Sequence, residues 1–307
     1  MRSFKIFKLS TSILFLSIIS FGVGGCAKTA FRGHNYAALG GYHSSKNDFN
    51  QAVHYYEKAV NEEPNQKSHL SLLGWAYFKQ GYYDAAIATF ERLAQIDPKG
   101  LDGYTGRGWS NFKKGDYDAA IGYFGQAIEI DPKAADPYNG IGWASFNKGD
   151  LDKAEKYFNV ALRKGMKYQK GVKTKIDPEA HRGLGYLNFS KGDFKTAIEH
   201  LKMATLSRPD WNDARTKWGE CLFSMGRYAD ALCLYRHCLK RAQNADIYDK
   251  IGWSYFQLAE KTETPFFKDR AYHTAKEMFN KALAINSEYA TSVSGLSEVE
   301  KKITYDE

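Results

Sequence analysis

RGWSNFKKGDYDAA, residues 107–120, is the stretch on which the fold turns. Around it, Tyr104, Gly108 and Phe112 recur every four residues, one face of a helix, and Ala120, Phe124 and Ala127 form a second helical stripe. Gly115 stands between the two stripes, where a left-handed backbone ends the first helix. Asp116 or Asp118 follows, able to accept hydrogen bonds from the free amides that open the second. Pro132 closes the unit because it cannot continue a helix. The small residues Gly108, Ala120 and Ala127 let two antiparallel helices approach closely, so Ala120→Leu is expected to overpack their joint.

Five further segments carry the same pattern: LGWAYFKQGYYDAA from Leu73, IGWASFNKGDLDKA from Ile141, LGYLNFSKGDFKTA from Leu184, WGECLFSMGRYADA from Trp218 and IGWSYFQLA from Ile251. The equivalent glycines, Gly74, Gly108, Gly142, Gly185, Gly219 and Gly252, are separated by 34, 34, 43, 34 and 33 residues. A degenerate earlier copy keeps Gly40, Phe49, Ala52, Tyr56, Ala59 and Pro64 in register. The surplus in the 43-residue interval falls at Lys164 to Asp177, and a second insertion follows Phe256; both are expected in loops. Such periodicity marks a stacked array of supersecondary units.

The 34-residue period and its residue pattern resemble the tetratricopeptide repeat over residues 35–288. The resemblance implies an all-α, right-handed superhelical solenoid of about seven helical hairpins, with residues 289–307 forming a capping helix and tail. It also implies a concave groove lined by first-helix residues, here Trp75, Lys79, Trp109, Lys113, Trp143, Tyr186 and Trp253. Familiar repeats of this kind place Asn at the first of these positions to clamp a carboxylate, a mode that the tryptophans do not support. A neighbouring series, Phe78, Phe112, Phe146, Phe189, Phe223 and Phe256, reads as packing, since polar Asn111, Ser145 and Asn188 take places usually given to the core.

The N-terminus reads as an export leader over residues 1–25: Arg2, Lys5 and Lys8 precede an apolar run, Ile13 to Phe21, too short to span a bilayer. Val23-Gly24-Gly25-Cys26 resembles the lipobox of bacterial lipoproteins, which implies acylation of Cys26. Ala27, where an Asp would signal retention, implies sorting to the outer membrane, facing the periplasm. Residues 26–34 then form a short lipid-anchored tether, with the first helical pattern near Asn35.

Composition restricts function. The formal charge of +8 falls by three with the leader's Arg2, Lys5 and Lys8, and arginines are not clustered as phosphate-backbone binding requires, so no nucleic-acid partner is expected. Aromatic residues reach 15%, with only 7 Pro, as helices packed through rings require. No catalytic motif, cofactor loop or paired-histidine metal motif is present; the nearest cluster, Cys233, His237 and Cys238, is read as packing. An oxidising periplasm permits one disulfide among Cys221, Cys233 and Cys238. The basic segment Arg163, Lys164, Lys167, Lys170, Lys173 and Lys175 reads as a solvated loop, with docking of an anionic partner as the alternative. The expected function is a non-enzymatic scaffold for envelope proteins, membrane-attached through its lipid; the alternative is a glycan-binding accessory that stacks sugar rings on the tryptophans.

Overall fold

The computed structural model describes residues 25–165, 167–169, 172–175 and 177–303, with side chains described over 32–165 and 177–303. Residues 1–24 of the expected leader lie outside the described residues. Helices pair in sequence order, and the chain divides into two compact units, residues 1–97 and 98–307. The first unit contains α1 (Gly25–Ser45), α2 (Phe49–Glu62), α3 (Lys67–Gln80) and α4 (Tyr83–Ile96). The second contains α5 (Leu101–Lys114), α6 (Tyr117–Ile130), α7 (Asp136–Asn147), α8 (Leu151–Gly165), α9 (Pro178–Ser190) and α10 (Phe194–Ser207). It continues through α11 (Asn212–Ser224), α12 (Tyr228–Leu239), α13 (Ala245–Lys261), α14 (Pro265–Ile285) and α15 (Ala290–Ile303). The architecture is all-α, seven hairpins and a final lone helix among the described residues. No described helix is long and apolar enough to cross a membrane.

Each hairpin is built as its residues dictate. Gly115 adopts φ +86° at the end of α5, a conformation that strains any side chain with a Cβ. The Asp116 carboxylate then accepts from the Ala119 amide and caps α6; Asp118 instead reaches out to Lys148. Between the helices lies the ring of Phe124, fully buried with Ala120 and Ala127. A Cβ at Gly108 would come within 2.6 Å of that ring, and one at Gly140, on α7, within 2.4 Å. One aromatic ring therefore joins its own hairpin to the next, and it fits because both facing residues lack side chains. Phe158 and Phe279 are fully buried in equivalent places. Asn111 and Asn188 donate to their own helix at Arg107 O and Leu184 O, 2.9 and 2.8 Å, which satisfies polar groups placed among apolar neighbours.

Three local expectations are corrected. Helical structure opens at Gly25, ahead of the start expected near Asn35. The insertion at Lys164 to Asp177 carries a short antiparallel pair, β1 (Lys167–Gln169) and β2 (Val172–Lys175), where a plain loop was expected. The insertion after Phe256 is mostly helical: α13 runs on to Lys261 and α14 starts at Pro265, whose missing N–H costs nothing in a first helical turn.

α15 closes the second unit. Val299 is fully buried beside Phe279, and Ser292 Oγ donates to Asp249 Oδ1 of α13 at 2.7 Å. Burial raises the Asp249 carboxyl above the usual carboxylate range, against the hydrogen bonds from Ser292 and Thr291. A raised native value means that its protonated form stabilises the fold; this contribution is complete below the ordinary carboxylate pKa and is lost as pH rises through the native value. Wild-type stability relative to Asp249→Asn is therefore expected to fall in urea unfolding as pH rises above the ordinary carboxylate range. A gap independent of pH would remove Asp249 from the acid response.

Candidate functional site

In the second unit, the first helices of successive hairpins carry a continuous row of rings and charges. Trp109 Nε1 donates to Asp136 Oδ2 at 3.1 Å, Trp143 Nε1 to Glu179 Oε1 at 2.7 Å, and Tyr186 OH to Asp213 Oδ2 at 3.4 Å. Each ring thus bonds the acidic first turn of the next first helix. The acids share a register that sequence reading passed over: Asp102, Asp136, Glu179, Asp213 and Asp246 each stand six residues before the repeat glycine. Crowding by protein raises the Asp136 carboxyl above its ordinary range; the Trp109 bond opposes this, and the nearby Glu179 and Asp177 charges add to it.

Cations alternate with these acids. Arg182 pairs with Glu179 and with Asp213, 2.5 and 2.7 Å away on α9 and α11. Its guanidinium also lies 4.9 and 4.8 Å from the Trp143 and Trp211 ring centres. Lys217 pairs with Glu220 at 2.5 Å, and Lys250 with Glu220 at 3.3 Å and Asp246 at 2.6 Å. Burial works against the Lys250 ammonium, but these carboxylates hold its pKa above the ordinary value.

The expected groove residues divide by accessibility. Lys79 and Lys113 are exposed, Trp75, Trp109, Tyr186 and Trp253 are half-buried, and Trp143 is only 7% exposed. Trp143 packs edge-on against Phe146, Phe158 and Tyr186. Phe78, Phe112, Phe146 and Phe256 meet the tryptophans edge-on, with Trp109 and Phe112 centred 5.6 Å apart, whereas Phe189 and Phe223 pack on Phe194 and Tyr228. Trp75 and Lys79 belong to the first unit, where Trp75 packs on Phe78 and Phe90.

The aromatic position of the fifth full copy holds Glu220 instead of a large ring, and there the surface opens. One cleft of about 350 Å³ is lined by Tyr186, Asp213, Lys217, Glu220 and Asp246, with Asn212 and Asn244 at hand. A second of about 350 Å³ offers Phe189, Phe223 and Trp253 beside Glu220 and Lys250. The sequence signal was the substitution itself: Trp75, Trp109, Trp143, Tyr186, then Glu220, then Trp253.

Arg163 and Lys164 are exposed at the end of α8, whereas the side chains of Lys167, Lys170, Lys173 and Lys175 lie outside the described residues, as does that of Cys26. Cys221, Cys233 and Cys238 are free thiols. Cys221 and Cys238 are buried and Cys233 is exposed, and burial pushes the Cys221 thiol up to about 12, which keeps it unreactive.

The family model for the tetratricopeptide repeat matches residues 37–100 and 105–168. With the 34-residue period and the paired helices, this identifies tetratricopeptide repeats in the matched residues, and the later hairpins continue the same helical pairing. Among solved structures, it resembles a chain of the APC/C hetero-tetramer Cut9-Hcn1, with 19% identity and a TM-score of 0.68 over 87% of this chain and 48% of that one. It therefore spans about half the length of that relative. It also resembles a tetratricopeptide repeat protein from Parabacteroides merdae (16% identity, TM-score 0.56, 88% and 99% covered). A third likeness is to TTC0263, a thermophilic protein of this class from Thermus thermophilus (22%, 0.53, 62% and 99%). No curated protein matches the sequence. Because 472 solved chains match, the fold by itself selects no partner. Tetratricopeptide-repeat proteins mediate protein–protein interactions, and their fold is typically non-catalytic.

Proposed function

We propose that this protein is a non-enzymatic adaptor, held by acylated Cys26 at the outer membrane, that presents the first-helix face of its second unit to a protein partner during assembly of an envelope machine for secretion, pili or cell-wall processing. The observation that carries the binding reading is the pair of clefts sharing Glu220. One is lined with carboxylates and amides and the other with Phe189, Phe223 and Trp253, as suits a peptide segment bearing an apolar anchor beside polar groups. The lipobox-like Val23 to Cys26 motivates the anchor. Stacking of sugar rings is less favoured, because Trp143 is nearly enclosed and the Nε1 atoms of Trp109 and Trp143 are already bonded within the protein.

A photoreactive residue placed at exposed Ser224, at the second cleft, is expected to capture a specific envelope protein in living cells. The same residue at exposed Gln126 on α6 should not. Equal capture from both positions, or capture from Gln126 alone, would reject the first-helix face. Labelling with a radioactive fatty acid tests the anchor separately: Cys26→Ser should abolish it.

A further inference from the structure

We infer that His34, Glu63 and His69 form a binding site for a divalent cation of the zinc class, in the first unit. One ligand atom from each residue lies within 4.8 Å of the other two. The three come from separate elements: α1, the turn after α2, and the first turn of α3. No local spacing in the sequence could reveal them.

Two of the three acceptors converge without a donor. His69 is 2% exposed, and its Nδ1 has no hydrogen-bond partner. The ring hydrogen-bonds the Ala59 carbonyl, which leaves Nδ1 presenting its lone pair. Glu63 Oε1 is likewise buried and unpartnered by any hydrogen bond; His34 Nδ1 lies 3.8 Å from it. A buried acceptor left without a donor opposes folding, and a metal ion would satisfy both at once. The His34 and His69 rings stand edge to face with centres 5.7 Å apart.

The repeats show that His69 departs from the architecture. Its position, five before the repeat glycine, holds Gly103, Pro137, Ala180, Ala214 and Ile247 in the other full copies. Packing there calls for a small or apolar residue, so an imidazole is not the structural default. Space for the carboxylate comes from Gly33: a Cβ there would lie 2.5 Å from Glu63 Oε1. The Glu63 backbone is pinned to Ala59 O at 3.0 Å, and the His69 amide to Gln66 O at 3.1 Å. Tetrahedral zinc with bonds of about 2.0–2.1 Å sets its ligand atoms about 3.3 Å apart. The contraction falls on His34, whose side chain is 71% exposed and turns at χ1 and χ2 without breaking core contacts. Two imidazoles and one carboxylate leave a fourth position for water, and this donor set suits zinc better than calcium or magnesium. The ion would fasten α1, the helix that carries Cys26, to the corner between α2 and α3.

The test is calorimetric titration of zinc sulfate into the full-length chain, purified in detergent and stripped with EDTA, with thermal melting alongside. One ion per chain and a raised melting temperature are expected. His34→Ala, at an exposed position that does not threaten folding, and Glu63→Gln should each weaken binding at least tenfold and remove the thermal shift. Absence of saturable binding would overturn the site. So would binding that both variants leave unchanged, since the ion would then sit on other histidines such as exposed His273.

Discussion

Replacing Phe124 with alanine is expected to destabilise the second unit by about 3–5 kcal/mol, the range for emptying a fully buried aromatic site. The ring is fully buried, and it contacts its own hairpin through Gly108 and the next through Gly140, so neither side can collapse without moving a helix. The converse change tests the same geometry from outside. Gly140→Ala adds a methyl group 2.4–2.6 Å from three ring atoms of Phe124. Helix propensity favours alanine over glycine by about 1 kcal/mol, whereas overpacking costs about 1–3 kcal/mol. Gly140→Ala is therefore expected to be net destabilising, although the same change at an open helical glycine such as Gly122 should stabilise. Combining Gly140→Ala with Phe124→Leu should recover part of the loss, giving a coupling of about 0.5–3 kcal/mol. Urea unfolding supplies the energies, and hydrogen exchange locates them, with protection lost first in α5 to α7, because each repeat is supported only by its neighbours. A stabilising Gly140→Ala would show that the ring does not hold the two hairpins together.

The reach of sequence reasoning follows from what periodicity encodes. A 34-residue recurrence fixes which residues share a helical face, so the hairpins and the Gly115 turn are legible from the single stretch at 107–120, with the cap narrowed to Asp116 or Asp118. It does not say what a side chain meets on the next hairpin. The resemblance alone assigns Trp109 and Trp143 to a groove, and periodicity is silent on the bonds that their indole N–H groups make to Asp136 and Glu179. The acids were visible, six residues before every glycine from Gly108 onward, but a carboxylate in a first helical turn is equally well explained by the helix dipole. Glu220, the departure from the aromatic row, carried more information than the row. The helical extension after Phe256 was missed because Thr264-Pro265 reads as a breaker, although proline also opens helices. The cluster of His34, Glu63 and His69 was invisible because three elements build it.

Arg182→Ala should have the larger effect of any substitution in the charged row. Arg182 is 27% exposed, so the 3–5 kcal/mol typical of breaking a buried pair overstates the loss, and the near-zero value of a surface pair understates it. An intermediate cost of about 1–3 kcal/mol is expected, from two separable sources. The guanidinium joins Glu179 on α9 to Asp213 on α11, so its removal leaves two carboxylates facing each other across a repeat boundary. Its planar face also covers the Trp143 and Trp211 rings. Arg182→Met keeps most of the apolar cover and removes the charge, so its deficit should shrink as salt is raised from 0.1 to 1 M and the repulsion is screened. Arg182→Lys keeps the charge, but a point ammonium cannot fork to two carboxylates, so it should recover less than half of the alanine loss. Hydrogen exchange should place the damage in α9 and α11, the helices that supply Tyr186, Asp213 and Glu220 to the first cleft. Capture of a partner from Ser224 should then fall in proportion. If all three variants keep wild-type stability and salt dependence, the charge row is a solvated surface, and the clefts owe their shape to the rings alone.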